Sequence, residues 1–176
     1  AYLKTVDNAR DDIAVRRIIN VPKRGIGLTT ITRVQDYADA NGISFYDALR
    51  TADEIPSLGR GAAKIRPFVT FIQSLRSKAE YLSVTELLDD IIEETGYVAD
   101  LKAEDTDEAN ARIENIDELI TKVVTYEEGT DTPSLGEFLE EVALIADIDT
   151  VDTNSDRVLM MTLHSAKGLE FPYVYM

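Results

Sequence analysis

From residue 11 to about residue 146 the chain is punctuated as a string of helices, and that grammar stops abruptly afterwards. Asp11-Asp12 place acids in a first turn, and Ile13, Ala14, Val15, Ile18 and Ile19 follow at helical spacing until Pro22 ends the run. Gly25-Ile26-Gly27 forms a tight turn, after which Thr29 or Thr30 is expected to cap a helix to about Ala40, with Gly42 just past its end. Ser44 caps a short helix to about Thr51. Residues 60–82 carry the stripe Ile65, Phe68, Val69, Ile72 and Leu75, and Pro67 is expected to kink or split that helix. Ser83-Val84-Thr85-Glu86 is a capping box for a helix ending before Gly96, and a short helix follows at 97–103. A long helix from Asp107 to about Glu127 has the stripe Ile113, Ile116, Leu119, Ile120 and Val123. Ser134-Leu135-Gly136-Glu137 is a second capping box, for a helix to about Ala146.

Residues 147–156 are acidic and helix-poor, as a linker would be. Val158-Leu159-Met160-Met161-Thr162-Leu163 is a continuous apolar run of strand length, and Tyr173-Val174-Tyr175-Met176 reads as a second strand. A buried parallel strand needs neighbours, and no other segment has that pattern. The expectation is a chain cut from a larger protein: mainly α, with a short β-containing remnant at its C-terminal end.

The 176 residues suffice for one domain with a real core. Cysteine is absent, which excludes disulfides and thiolate metal sites and fits a cytoplasmic protein. No apolar run approaches the ~18 residues of a membrane span, and the N-terminus lacks the layout of a signal peptide.

Net charge is −15, yet its distribution is uneven: residues 1–78 carry +5 and residues 79–176 carry −20. Arg10, Arg16, Arg17, Lys23, Arg24 and Arg33 concentrate the positive charge. Such an end attracts a polyanion that the other end repels. A solvated surface of mixed sign is the plainer reading of charge alone. The glycine turn shifts the balance toward DNA. In Val21-Pro22-Lys23-Arg24-Gly25-Ile26-Gly27, glycines let a phosphate approach main-chain N–H groups, and the next helix presents its N-terminus there. Lys23 and Arg24 add full charges, and Ile26 can anchor the turn in the core. Contacts of this kind read backbone shape and not base sequence.

A second constellation is Thr162-Leu163-His164-Ser165-Ala166-Lys167-Gly168-Leu169-Glu170-Phe171, a strand end flowing into a helix start. Thr162, His164, Ser165 and Lys167 offer phosphate donors, and Glu170 offers an acceptor for a hydroxyl. His164 is the only histidine, so no histidine cluster can hold a metal; by residue type alone it is more often structural. Gly59-Arg60-Gly61-Ala62-Ala63-Lys64 lacks the ending of a phosphate loop. The acid pairs Asp89/Asp90, Glu93/Glu94 and Glu140/Glu141 read as exposed helix faces, since sequence neighbours do not face each other.

Met161-Thr162-Leu163-His164-Ser165-Ala166-Lys167-Gly168-Leu169-Glu170-Phe171-Pro172 resembles motif V of the UvrD/Rep/PcrA group of superfamily 1 helicases. Arg17-Ile18-Ile19-Asn20 with Pro22 and Arg24-Gly25-Ile26-Gly27 resembles that group's "GIG" segment, and Arg112-Ile113-Glu114-Asn115 with Glu118-Leu119 resembles its "RIEN" helix. The resemblance covers essentially the whole chain. It implies a helical 2B subdomain at 10–148, inserted between parts of a RecA-like 2A subdomain at 1–9 and 149–176. It implies that Lys23, Arg24, Gly25, Ile26 and Gly27 meet duplex DNA, that Thr162 and His164 contact the translocating single strand, and that Glu170, with Gly168 in the same motif, lies near the nucleotide. The position of Lys23 need not be basic across the group, so its role rests on charge.

The intact protein would be an ATP-driven 3′–5′ DNA helicase using ATP and Mg2+, with rotation of 2B gating unwinding. Its partners would be duplex and single-stranded DNA, its own remaining subdomains, and repair or replication proteins. This chain lacks a phosphate loop, Walker B acids and an arginine finger, so it should not hydrolyse ATP by itself and should bind no cofactor or metal. The competing reading is an acidic helical protein-interaction module whose basic end is incidental.

Overall fold

Among residues 1–144, the part that the computed structural model describes, there are nine α-helices and no strand. In chain order they are α1 (Tyr2–Asp7), α2 (Asp12–Ile18), α3 (Leu28–Asn41), α4 (Phe45–Arg50), α5 (Ala62–Lys78), α6 (Val84–Thr95), α7 (Tyr97–Glu104), α8 (Asp107–Gly129) and α9 (Leu135–Leu144). Two 3₁₀ turns, Ala52–Glu54 and Pro56–Gly61, join α4 to α5. The mainly helical expectation agrees with this part. The expected strands at 158–163 and 173–176 lie outside the described residues. The chain divides into two units, Ala1–Phe138 and Leu139–Met176, and the first is described below.

The first unit is organised around α5. Its stripe Ile65, Phe68, Val69, Ile72 and Leu75 is buried throughout, and both α1 and α4 pack against it. Burial of side chains this size contributes about 1.5–3 kcal/mol each. Pro67 was expected to kink or split this helix, but α5 runs through it unbroken. The proline lies in the second turn, on the exposed face. The carbonyl it leaves without a helical donor belongs to exposed Ala63, where solvent can satisfy it.

Three other boundaries differ from expectation. Helix α1 carries no side-chain cap and no amphipathic run long enough to announce it; burial of Leu3, Thr5 and Val6 against α2 and α5 holds it. Helix α3 starts at Leu28 with Gly27 as its cap, and not behind Thr29 or Thr30. The second capping box is half made. Glu137 N–H donates to Ser134 Oγ (3.3 Å), while Ser134 N–H donates to Tyr126 Oη (3.2 Å), whose hydroxyl is also 3.3 Å from Glu137 Oε2. The stripe of α8 is buried only at Val123; Ile113, Ile116, Leu119 and Ile120 are half-exposed, since among the described elements α6 and α7 supply most of its cover and α9 meets it near Tyr126.

The start of α6 leaves none of its first four N–H groups unpaired. Val84 and Thr85 donate to Glu127 Oε1 of α8 at 2.6 and 3.2 Å, Glu86 donates to Ser83 Oγ at 3.2 Å, and Leu87 donates to Ser83 O at 3.0 Å. Ser83 N–H donates to Glu86 Oε2 at 2.9 Å, which completes the first capping box. Replacing Glu127 with alanine orphans two of these donors and removes an anion from a helix N-terminus. A loss of about 1–3 kcal/mol is expected, read as a shift of the urea midpoint. Lys78 ties α5 to α6, with Nζ 2.7 Å from Asp90 and 2.6 Å from Glu94. Hydrogen bonds to Asp90 and then Glu94 raise its pKa, so on the alkaline side the contribution of the ammonium is kept up to the ordinary lysine range and is lost as pH rises beyond it.

Candidate nucleic-acid interface

The turn between α2 and α3 is held by side chains that capture its carbonyl groups. The Asn20 side chain pairs with Ile26 on both sides: Ile26 N–H donates to Asn20 Oδ1 at 3.1 Å, and Asn20 Nδ2 donates to Ile26 O. Lys64 reaches across from α5 and donates to Gly25 O at 2.9 Å. Arg24 Nη1 donates to Ile18 O at 2.8 Å, Pro22 O at 3.2 Å and Ile19 O at 3.4 Å. Its Nη2 donates to Tyr2 Oη at 2.6 Å, and Tyr2 Oη donates to Val21 O at 2.6 Å. Burial pushes the Tyr2 phenol pKa up despite the opposing pull of Arg24, so the hydroxyl stays protonated and serves both bonds.

The two glycines do different work. Gly25 has φ +67°, a left-handed conformation that costs other residues about 1–2 kcal/mol. Gly27 has φ −70° and ψ 156°, which any residue adopts, and a Cβ there would meet no atom within 4 Å. Its lack of a side chain therefore serves no packing need and leaves the main chain open on the outside. The N–H groups of Gly27, Leu28 and Thr29 have no acceptor among the described residues; the first bonded donor is Thr30, to Gly27 O at 2.9 Å. The N-terminus of α6 is filled by Glu127, whereas no carboxylate among the described residues fills that of α3.

The expected site residues separate by environment. Lys23, Gly25 and Gly27 are exposed; Ile26 is buried under the turn; Arg24 is half-buried, its Cζ 5.3 Å from the Phe68 ring centroid and 6.0 Å from that of Tyr2. Thr162, His164, Gly168 and Glu170 lie outside the described residues. None of the six clustered cations forms an ion pair among the described residues. Arg16 donates to the Gln35 amide, Arg24 to carbonyls and a phenol, and Arg33 to Ser57 O. The charges of Arg16, Arg24 and Arg33 are therefore held by neutral groups and not by carboxylates among the described residues. A wide cleft of about 1040 Å³ between α1, α4, α5 and the start of α9 is different, since Arg10, Arg50 and Arg76 there are matched by Asp7, Asp47 and Glu80.

The turn thus presents exposed glycines, N–H groups without acceptors among the described residues, and an exposed Lys23. The profile of the UvrD-like helicase C-terminal domain matches residues 1–176. The chain belongs to this family. It is 42% identical over 182 residues to the ATP-dependent DNA helicase PcrA of Bacillus subtilis (strain 168), covering all of this chain and 25% of that protein. The PcrA of Staphylococcus aureus (strain Mu50) is 44% identical over 177 residues, covering 99% of this chain and 24% of the relative. That of Staphylococcus epidermidis is 42% identical over the same length. The chain spans about a quarter of the length of these relatives.

In this UvrD-like chain, sequence reading missed Asn20 and Lys64 as supports of the turn. Asn20 stood next to the turn in sequence, but an asparagine in that place carries no signal of a paired backbone contact. Lys64 is 39 positions from Gly25, and only folding reveals it. The neighbouring Gly59-Arg60-Gly61 turn packs beside the start of α3: a Cβ on Gly61 would lie 3.0 Å from Thr30 Oγ1. Among the described residues no group of three or more His, Cys, Asp or Glu is arranged to hold a metal ion, and no helix is long and apolar enough to cross a membrane.

Proposed function

We propose that this chain is the 2B-containing part of a cytoplasmic, ATP-dependent 3′–5′ DNA helicase of repair or replication, and that its α2–α3 turn contacts the backbone of duplex DNA and regulates unwinding. Residues 10–148 form the 2B subdomain in this reading, with 2A segments at 1–9 and 149–176. The observation that carries it is the turn itself: Gly27 exposed, three N–H groups without acceptors among the described residues, and Lys23 exposed beside them. The names of the relatives, ATP-dependent DNA helicase, support the activity of the whole protein.

ATP and Mg2+ belong to the full-length protein in this reading. Phosphoryl transfer needs a phosphate cradle, magnesium ligands and a compensating cation, and this chain carries none of those motifs. Thr162 and His164 are assigned to the single strand and Glu170 with Gly168 to the nucleotide, on their place in motif V. The test is binding of the full-length protein to a duplex–single-strand junction across a salt series. Lys23→Gln is expected to weaken binding and to make the slope of log K against log salt shallower by about 0.9, one phosphate contact. An unchanged slope and affinity would favour the acidic protein-interaction module, the reading that the −20 of residues 79–176 supports.

A further inference from the structure

Charge and position make Arg24 look like a DNA contact. The geometry points to a different role, resting on the duplex-contact reading above: we propose that Arg24, acting with Tyr2, is a positioning residue that turns the main chain of the α2–α3 connection so that its N–H groups face the phosphate.

The carbonyl groups decide this. A phosphate meets repulsion from carbonyl oxygens and attraction from N–H groups, so a phosphate-binding turn must point the first inward and the second outward. In this turn the carbonyls of Ile18, Ile19 and Pro22 accept from Arg24, that of Val21 accepts from Tyr2, that of Gly25 from Lys64 and that of Ile26 from Asn20. The N–H groups of Gly27, Leu28 and Thr29 are left unclaimed among the described residues. Ile18 and Ile19 end α2, so the guanidinium also sits where a helix leaves orphan carbonyls and a negative dipole end.

Arg24 is poorly placed to do both jobs. Both of its terminal nitrogens are engaged by protein acceptors, and the aromatic faces of Phe68 and Tyr2 flank its guanidinium at 5.3 and 6.0 Å. Freeing it for a phosphate would leave the carbonyls of Ile19 and Pro22 without a donor among the described residues, while Ile18 O would keep the Val21 N–H at 3.0 Å and Tyr2 Oη its bond to Val21 O. Lysine cannot replace it, because a single ammonium does not span this set in the planar geometry of the fork. Tyr2 extends the clasp to α1, where the T-shaped contact of its ring with Phe71 at 6.1 Å fixes the phenol.

Salt dependence separates the two roles, because it counts ionic contacts whatever their strength. In the full-length protein, Arg24→Gln is expected to lower junction affinity about tenfold at every salt concentration, with the slope of the wild type retained. Arg24→Lys is expected to fail to rescue it. Tyr2→Phe keeps the guanidinium and the ring and should show a smaller loss with the same unchanged slope, which keeps the test open if Arg24→Gln does not fold. Lys23→Gln, measured alongside, should change the slope. A slope shallower by about one in Arg24→Gln would make Arg24 a phosphate contact and overturn the proposal. So would a lowered melting temperature with unchanged affinity in both variants, which would leave the clasp a support of the fold only. Equal junction affinity of wild type and Gly27→Asp would instead sink the duplex-contact reading, and this inference with it.

Discussion

Replacing Gly27 with aspartate is expected to leave the protein as stable as before, or more stable by a few tenths of a kcal/mol, while lowering affinity for a duplex–single-strand junction about 100-fold. The two effects come from one atom group. At φ −70° and ψ 156° the backbone of Gly27 already has the shape of a helix N-cap, and an added side chain meets nothing within 4 Å. An aspartate carboxylate there would accept from the open N–H groups at the start of α3 and complement its dipole. It would thereby occupy the place assigned to the phosphate, with the same charge. Few substitutions separate fold from function so sharply: a stability gain with a binding loss marks the turn as an anion site. Equal binding at all salt concentrations, alongside the expected stability, would remove the turn from the DNA interface. Urea denaturation and junction titration on the same preparation read both quantities.

Truncating Phe68 to alanine is expected to cost about 3–5 kcal/mol of stability, the largest single effect on the fold in the set. Phe68 is fully buried in α5, as Ile65, Ile72 and Leu75 are, so the change leaves a cavity in the core. It also removes the ring beneath the Arg24 guanidinium, worth about 0.5–2 kcal/mol more. The midpoint of urea unfolding should fall with little change in slope. Phe68→Leu, which keeps most of the volume and loses the ring, should recover most of the stability and leave part of the deficit in junction binding. A loss below about 1 kcal/mol for Phe68→Ala would show that the core collapses around the site, and that α5 is a less rigid centre than its burial indicates.

The interface depends on the core in a direct way. Arg24 rests on Phe68, and Lys64, one turn from Phe68 on the same helix, holds Gly25 O. The turn that faces solvent is thus built on the helix that carries the buried stripe Ile65, Phe68, Val69, Ile72 and Leu75. A site on a loop keeps its geometry when its supports stand on rigid elements.

The sequence by itself determined the helices whose ends carry chemical marks. Ser44, Ser83 and Ser134 each announced a helix start, Gly42 and Gly96 each marked an end, and the stripe of α5 named the core, because capping and periodicity are local interactions within a few residues. The glycine turn and motif V carried the family for the same reason: their chemistry is written in contiguous residues. Only the tertiary structure decided what depends on distant partners. It buried α1, which had no cap to announce it. It carried α5 through Pro67 because that face meets solvent, and it left the stripe of α8 half-covered by the described elements. It also divided the six basic residues into those engaged by neutral groups and those without a partner among the described residues. A charge in a sequence records that a cation is present; which oxygen it faces is settled by residues 20 or 40 positions away, brought close by a hydrophobic core that has no directional preference of its own.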